Sequence, residues 1–252
     1  MAQRLVNKIA QKGFVLGPFM KSSDPAFVEI AGFAGFDFVI LDMEHGSVHL
    51  QQMQNMIRAA QVSGIITVIR LRDRMPETIS QALDIGAHAI QVPQVVSDKE
   101  VRDIIDAGKF YPDGNRGVCR FVRAAQYSAM SSSNYFENAN KTEIIIQVEG
   151  LQAMENVESI LQVEGFDILF IGPYDLSQSL GVPGEINHPK VISAMENLIK
   201  KAKGAKKYIG VFIDTINSAK IWKDMGVHYL AYSVDVGIYF SACKSVVDEI
   251  QK

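Results

Sequence analysis
Residues Glu143–Ser177 read EIIIQVEG LQAMENVESILQVEG FDILFIGPYDLS. The first and third segments contain short apolar runs of strand length, and the middle one carries apolar residues at helical spacing. Strands apolar on both faces are what a parallel sheet covered by helices requires. An acid ends each of the two strands, Glu149 and Asp175. Neighbouring parallel strands carry such acids to one edge of the sheet. Two carboxylates with room for water and substrate suit Mg2+ or Mn2+. The structural alternative is that either acid caps a helix or pairs with an arginine.

Outward from this stretch the unit recurs. Apolar strand-length runs stand at 14–21, 36–43, 65–72, 87–95, 143–149, 166–173, 208–214 and 228–235. Helical patterns fill the intervals: from Pro25 to Gly32 or Gly35, 50–62, 76–85, Asp98 to about Ala107, 151–162, 189–203, 216–225 and 237–250. Ser23 or Asp24 can cap the first of these, and Asp98 caps the fourth. A further amphipathic helix is expected over 2–12, stopped by Gly13. AGFAGFDFVI, DIGAHAIQV, VEGFDILFI and DMGVHYLAY share a phrase in which a glycine ends a helix just before a strand. Eight such units in one domain of 252 residues predict a (β/α)8 TIM barrel.

The rhythm breaks once, at 109–142, where a long insertion carries Arg116, Arg120 and Arg123 and a Ser-rich tip at 131–133. Such a segment is a solvated loop, a cover over the barrel mouth or a subunit contact.

The composition excludes several classes. A hydrophobic share of 48%, a charged share of 21% and a net charge of −3 describe an ordinary globule, with no pull toward nucleic acid or anionic membrane. Two cysteines, Cys119 and Cys243, build neither a disulfide framework nor a metal pattern. The N-terminus lacks a secretory signal, and no apolar run approaches a membrane span, so a cytoplasmic setting is expected. GxxxxGK[ST] and GxGxxG elements are absent.

Barrel sites lie at the C-terminal ends of the strands, which here offer Lys21, Asp42, Glu44, His45, Arg70, Arg72, Pro93, Gln94, Gln147, Glu149, Asp175, Asp214 and Asp235. His45, on a rim rich in acids, is a candidate general base because its pKa lies near neutrality. Asp84 either orients it or is a helix surface charge. Arg70 ends an apolar strand and needs a counter-charge. It salt-bridges Asp42, or it stabilises a developing enolate or a substrate carboxylate. The turn Gly172-Pro173-Tyr174 presents backbone N–H groups that can receive a carboxylate. Lys21 pairs with an acid or, less in keeping with a two-carboxylate site, forms a Schiff base. His88 and His228 precede strands and so fall on the end away from catalysis.

FDFVILDMEHG, the Arg70 strand, ALDIGAHAIQVPQV, YPDGNRGV, IIIQVEG and FIGPYDLSQSLG together resemble the HpcH/HpaI aldolase family, in the same order over roughly residues 13–240. The resemblance implies a metal-dependent (class II) pyruvate aldolase, in which Glu149 and Asp175 hold Mg2+, Mn2+ or Co2+. It places Gln147 beside the pyruvate, with Arg70 on the keto oxygen and the aldehyde oxygen. His45 becomes the acid/base supported by Asp84, and the Pro173–Asp175 backbone receives the pyruvate carboxylate, with Asp42 also on the substrate side. It further implies a homo-oligomer, hexamer or trimer, with the last helix packed on or exchanged with a neighbour. Tyr174 departs from the small residue of relatives, and the insertion is richer in arginine. The expected reaction cleaves or forms a 4-hydroxy-2-oxo acid, from or to pyruvate and an aldehyde, through a metal-bound enolate. The alternatives are oxaloacetate decarboxylation on the same site and a catalytically silent keto-acid-binding barrel.

Overall fold
Along each strand, successive side chains point to opposite faces, and here that alternation separates two cores. In the computed structural model, which describes residues 4–252, the strands are β1 (Val15–Met20), β2 (Phe38–Asp42), β3 (Ile66–Arg70), β4 (Ala89–Val92), β5 (Glu143–Val148), β6 (Ile168–Ile171), β7 (Tyr208–Ile213) and β8 (Tyr229–Val234). All pair in parallel with their neighbours in chain order, and β8 closes on β1. The sheet is the expected (β/α)8 barrel. Phe19, Phe38, Ile40, Val68, Ile145, Phe170 and Tyr229 fill its interior, and the alternate residues Val39, Leu41, Ile69, Ile90, Ile146 and Leu169 face the helices. Phe38 and Tyr229 stack at 4.2 Å between ring centroids. Gly210 makes room for them, since a Cβ there would lie 2.7 Å from the Tyr229 ring.

The helices are α1 (Leu5–Lys12), α2 (Pro25–Phe33), α3 (Leu50–Ser63), α4 (Pro76–Asp84), α5 (Asp98–Gly108), α6 (Ser132–Asn140), α7 (Leu151–Glu155), α8 (Val157–Leu161), α9 (Pro173–Ser179), α10 (Pro189–Gly204), α11 (Ile216–Asp224) and α12 (Asp235–Ile250). Among the described residues none is long and apolar enough to cross a membrane. Positions 2 and 3 of the expected first helix lie outside the described residues.

Both ends of the barrel are tied by buried acids. At the entry end the Glu143 carboxylate accepts from the amides of Leu5 and Val6 at 2.9 and 2.8 Å, capping α1, whose Leu5 and Ile9 close the inner core. At the other end Asp235 accepts from the amides of Lys21 and Ser22, each at 2.9 Å, which fastens the tip of β1 to that of β8.

Four expectations change in detail. Ser97, not Asp98, caps α5, its hydroxyl accepting from the Glu100 amide. The helix expected over 151–162 breaks at Asn156, which spends its side-chain amide on the Val96 carbonyl at 2.8 Å. PYDLSQS, read from the sequence only as a strand-to-helix turn, forms a short helix of its own, α9. The insertion folds into a 3-10 turn (Arg123–Ser128) and α6 around a small core of Phe110, Ala125 and Tyr135. It lies against the entry end, with Arg123 donating to the Ile85 carbonyl and Arg116 pairing with Asp84 at the end of α4. Within one chain it does not cover the mouth.

Candidate active site at the strand tips
The alternation that builds the core also selects the site. On β5 the inward positions are Glu143, Ile145 and Gln147, followed by Glu149 just past the strand end. One strand thus caps α1 at its base and lines the mouth at its tip. Glu149 is 5% exposed, and it anchors a chain of buried donors. Tyr229 Oη donates to Gln91 Oε1 at 3.3 Å, Gln91 Nε2 to Gln147 Oε1 at 2.6 Å, and Gln147 Nε2 to Glu149 Oε2 at 2.6 Å. An ionised carboxylate only accepts, so Glu149 dictates which way both amides face. The Gln94 amide completes the grip on Oε1 at 2.9 Å, from a residue with a left-handed φ of 55°.

Gly172 faces this carboxylate across the β5–β6 seam. A Cβ on it would lie 2.5 Å from Glu149 Oε2, so glycine is what lets the carboxylate hold this position. Next comes α9, with Pro173 at its first position and Asp175 exposed in its first turn. Pro173 has no N–H, and the amides of Tyr174 and Asp175 are first-turn donors without intrahelical partners. Burial pushes the Glu149 carboxyl up to about 7, and the charges of Asp175 and Glu44 add to it against the hydrogen bonds from Gln147 and the Gln94 amide.

On the opposite wall, β2 and β3 place Asp42 directly beside Arg70. The guanidinium is held in a fork, with Nε to Asp42 Oδ1 at 2.8 Å and one terminal nitrogen to Oδ2 at 2.7 Å. Its other terminal nitrogen lies 3.1 Å from Glu44 Oε2, and its plane rests 4.6 Å from the centre of the Phe19 ring. Burial raises the Asp42 carboxyl, but the hydrogen bonds and charge of Arg70 more than reverse this, leaving it below the usual carboxylate range. Asp42 is fully buried, and its oxygens also take the amides of Glu44 and His45 and the ammonium of Lys21, 3.5 Å away. A substrate contact by Asp42 would have to compete with these partners. The salt bridge to Arg70 is formed, and it fixes the orientation of the guanidinium. Lys21 pairs with an acid, as the sequence suggested.

His45 stands exposed at the rim, its amide on Asp42 and its carbonyl accepting from Lys21 Nζ at 3.4 Å. Asp84 is not beside it. Helices run back from the strand tips, so the last residue of α4 lies at the entry end, where Asp84 pairs with Arg116. His88 and His228 lie at that end too, as expected, hydrogen-bonded to Thr67 and the Ile209 amide. Tyr174 is 46% exposed. Its ring packs on Phe212 at 5.7 Å, and its hydroxyl donates to Asp214 at 3.2 Å, so it leans across the β6–β7 side of the mouth.

Sequence reasoning placed Glu44 and Gln94 at the strand tips without giving them a role, and it passed over Gln91 and Tyr229. Gln91 did carry a signal, a polar residue inside the buried run AIQV that must find partners.

The sequence matches the HpcH/HpaI aldolase/citrate lyase family over residues 16–242. The chain belongs to this family. It is a carbon–carbon lyase of aldolase type. It is 30% identical over 245 residues to the 5-keto-4-deoxy-D-glucarate aldolase of Shigella boydii serotype 18, covering 97% of this chain and 95% of that one. An HpcH/HpaI aldolase/citrate lyase family protein from Burkholderia cenocepacia J2315 superposes with a TM-score of 0.93 at 28% identity, covering 99% of this chain and all of the other. The citrate synthase SbnG superposes with a TM-score of 0.87 at 27% identity, covering 98% of both chains.

The residues present fit a divalent cation. Glu149 is a desolvated carboxylate that feels the negative charges of Asp175 and Glu44. That surplus of negative charge away from water is what a cation relieves. Among the described residues no three His, Cys, Asp or Glu side chains gather at ligand spacing. Two carboxylates would leave the remaining positions to water or substrate, an arrangement Mg2+ accepts.

Proposed function
We propose that the chain cleaves, or in reverse forms, a 4-hydroxy-2-oxo acid, giving pyruvate and an aldehyde through the pyruvate enolate. One observation carries this reading. Glu149 is buried, oriented by Gln147 and gripped by Gln94 beside Asp175, while a clamped Arg70 stands on the facing wall. Glu149 and Asp175 would hold a divalent cation, Mg2+, Mn2+ or Co2+, which when bound would supply Lewis-acid stabilisation of the enolate.

The protein's own groups do the rest. The amides of Tyr174 and Asp175 receive the substrate carboxylate. Arg70, preset by Asp42, meets charge on the keto and aldehyde oxygens as the C3–C4 bond breaks, at no reorganisation cost. His45 removes the proton of the 4-hydroxyl, directly or through a water, and returns one in the synthetic direction. Asp84 lies at the opposite end of its own barrel from the strand tips, so it can support His45 only from another copy. Its role is proposed together with a trimeric or hexameric assembly.

The test is a cleavage and condensation assay with pyruvate against succinic semialdehyde, lactaldehyde, tartronate semialdehyde and glyceraldehyde, before and after chelation. The reading predicts activity that chelator abolishes and Mg2+ or Mn2+ restores. Full activity in chelator contradicts it. Oxaloacetate belongs in the same assay, because loss of CO2 yields the same enolate.

A further inference from the structure
The entry end of the barrel holds a second constellation that the aldol chemistry does not use. Between the insertion, the α4–β4 turn and α1 lies a cavity of about 740 Å3. Its walls include Arg116, Arg123, Tyr135 and His88. The Arg116 side chain is 1% exposed. One terminal nitrogen binds Asp84 and its plane rests on the Phe110 ring at 4.8 Å, but its Nε is buried with no partner. Tyr135 is 2% exposed, and its hydroxyl also has no partner among the described residues. Arg123 donates only to neutral oxygens, the Ile85 carbonyl at 3.0 Å and Gln61 Oε1 at 2.9 Å. Among the described residues no carboxylate lies within ion-pair distance of it.

Buried donors left unmade are rare in folded proteins, and their usual partners are water or a ligand. Arg123 is half-buried without a carboxylate partner, and burial and then the like charge of Arg58 both weigh against its charged form, a cost that an anion would relieve. A monatomic or tetrahedral ion fills little of 740 Å3, a volume within the range of small-molecule sites. The amides of Asn7 and Asn138 on the same wall suit hydroxyl groups.

We propose that this cavity binds a small hydroxylated oxyanion, a metabolite bearing a carboxylate or phosphate. The charged group meets Arg123, Arg116 Nε and the Tyr135 hydroxyl, at the opposite end of the same barrel from its strand tips. The proposal stands independently of the reaction assigned to the mouth.

Isothermal titration calorimetry on the full chain at low ionic strength tests it, with malonate, inorganic phosphate, glycerol 3-phosphate and, as a neutral control, glycerol. At least one anion binds saturably with a Kd at or below about 1 mM, and glycerol does not. Whether malonate or the phosphates bind tighter identifies the source of the oxyanion. Arg123→Gln, at a half-exposed position, weakens binding by about tenfold or more, as loss of a charge-assisted bond does, and Tyr135→Phe weakens it several-fold. Glu149→Gln leaves it unchanged. Absence of saturable binding for every anion overturns the proposal. So does equal affinity in wild type, Arg123→Gln and Tyr135→Phe, or binding that disappears in Glu149→Gln, which would return the ligand to the strand tips.

Discussion
Gly172 and Glu149 are mutually fitted: the space a Cβ would need at 172 is the space the 149 carboxylate occupies, with 2.5 Å between them. The φ of Gly172 is −91°, so the backbone itself does not demand glycine there. Gly172→Ala therefore leaves the barrel folded and displaces Glu149 from Gln147. Displacing a group that orients a ligand typically costs about 10- to 100-fold in metal affinity or activity. Circular dichroism and Mn2+ titration check this, and an unchanged Mn2+ affinity contradicts it.

Asp42 acts through Arg70. Asp42→Asn keeps the volume but loses the charge-assisted fork, so Arg70 is no longer held to one orientation. The expected outcome is a fall in kcat of roughly 10²-fold, the scale for loss of a preorganised donor, with a much smaller change in KM for the 2-oxo acid. Breaking a buried pair also costs on the order of 3 kcal/mol of stability, measurable by urea denaturation. Equal loss in KM and kcat would assign Asp42 to substrate binding after all.

The raised Glu149 carboxyl links pH, stability and the cation. Without metal its folded-state pKa, about 7, lies above the unfolded value of 4.5, so folding favours the protonated form. Its contribution is fully present below about pH 4.5 and is lost as pH rises through 7. A cation binds the ionised form, so its affinity rises with pH, by up to about tenfold per pH unit below 7, and flattens above. Mn2+ titrations at pH 6, 7 and 8 measure the slope. A flat profile contradicts the account.

Tyr174 narrows the mouth on the β6–β7 side and is braced by Asp214. Tyr174→Ala widens that side and leaves α9 intact, so kcat/KM shifts toward longer aldehydes. A change of about tenfold relative to a two- or three-carbon aldehyde is the scale on which pocket volume discriminates. Tyr174→Phe, which keeps the ring on Phe212, changes the preference far less. An aldehyde panel on the two variants separates bulk from hydroxyl.

Much of this was legible in the chain, and the failures have physical reasons. FDFVILD and EIIIQVE are apolar on both faces and end in acids, which fixes both the parallel sheet and the edge that carries charge. Gln147 and Glu149 stand two apart on one strand, hence on one face. Gln91 was passed over because its partners, Gln147 and Tyr229, are 56 and 138 residues distant, and only barrel closure joins them. Asp84 was grouped with His45 although it ends a helix, and a helix in a βα unit runs away from the strand tips. α9 was not read as an element of its own because Gly, Pro, Asp and Ser all favour turns, yet Gly172 and Pro173 are the N-cap and first residue of a helix. The insertion's arginines looked available to the mouth, and its small core around Tyr135 holds them at the opposite end.

The central claim is that Glu149, Asp175 and their cation stabilise the enolate of pyruvate, and proton exchange tests it without knowledge of the aldehyde. Pyruvate is incubated with the enzyme in D2O, and the methyl signal is followed by 1H NMR with Mn2+ removed from the sample before reading, or with Mg2+ throughout. The account predicts exchange that needs the metal, stops in chelator and is lost in Glu149→Gln and Asp175→Asn. Undiminished exchange in chelator, with a borohydride-trapped pyruvate adduct on Lys21, would contradict it.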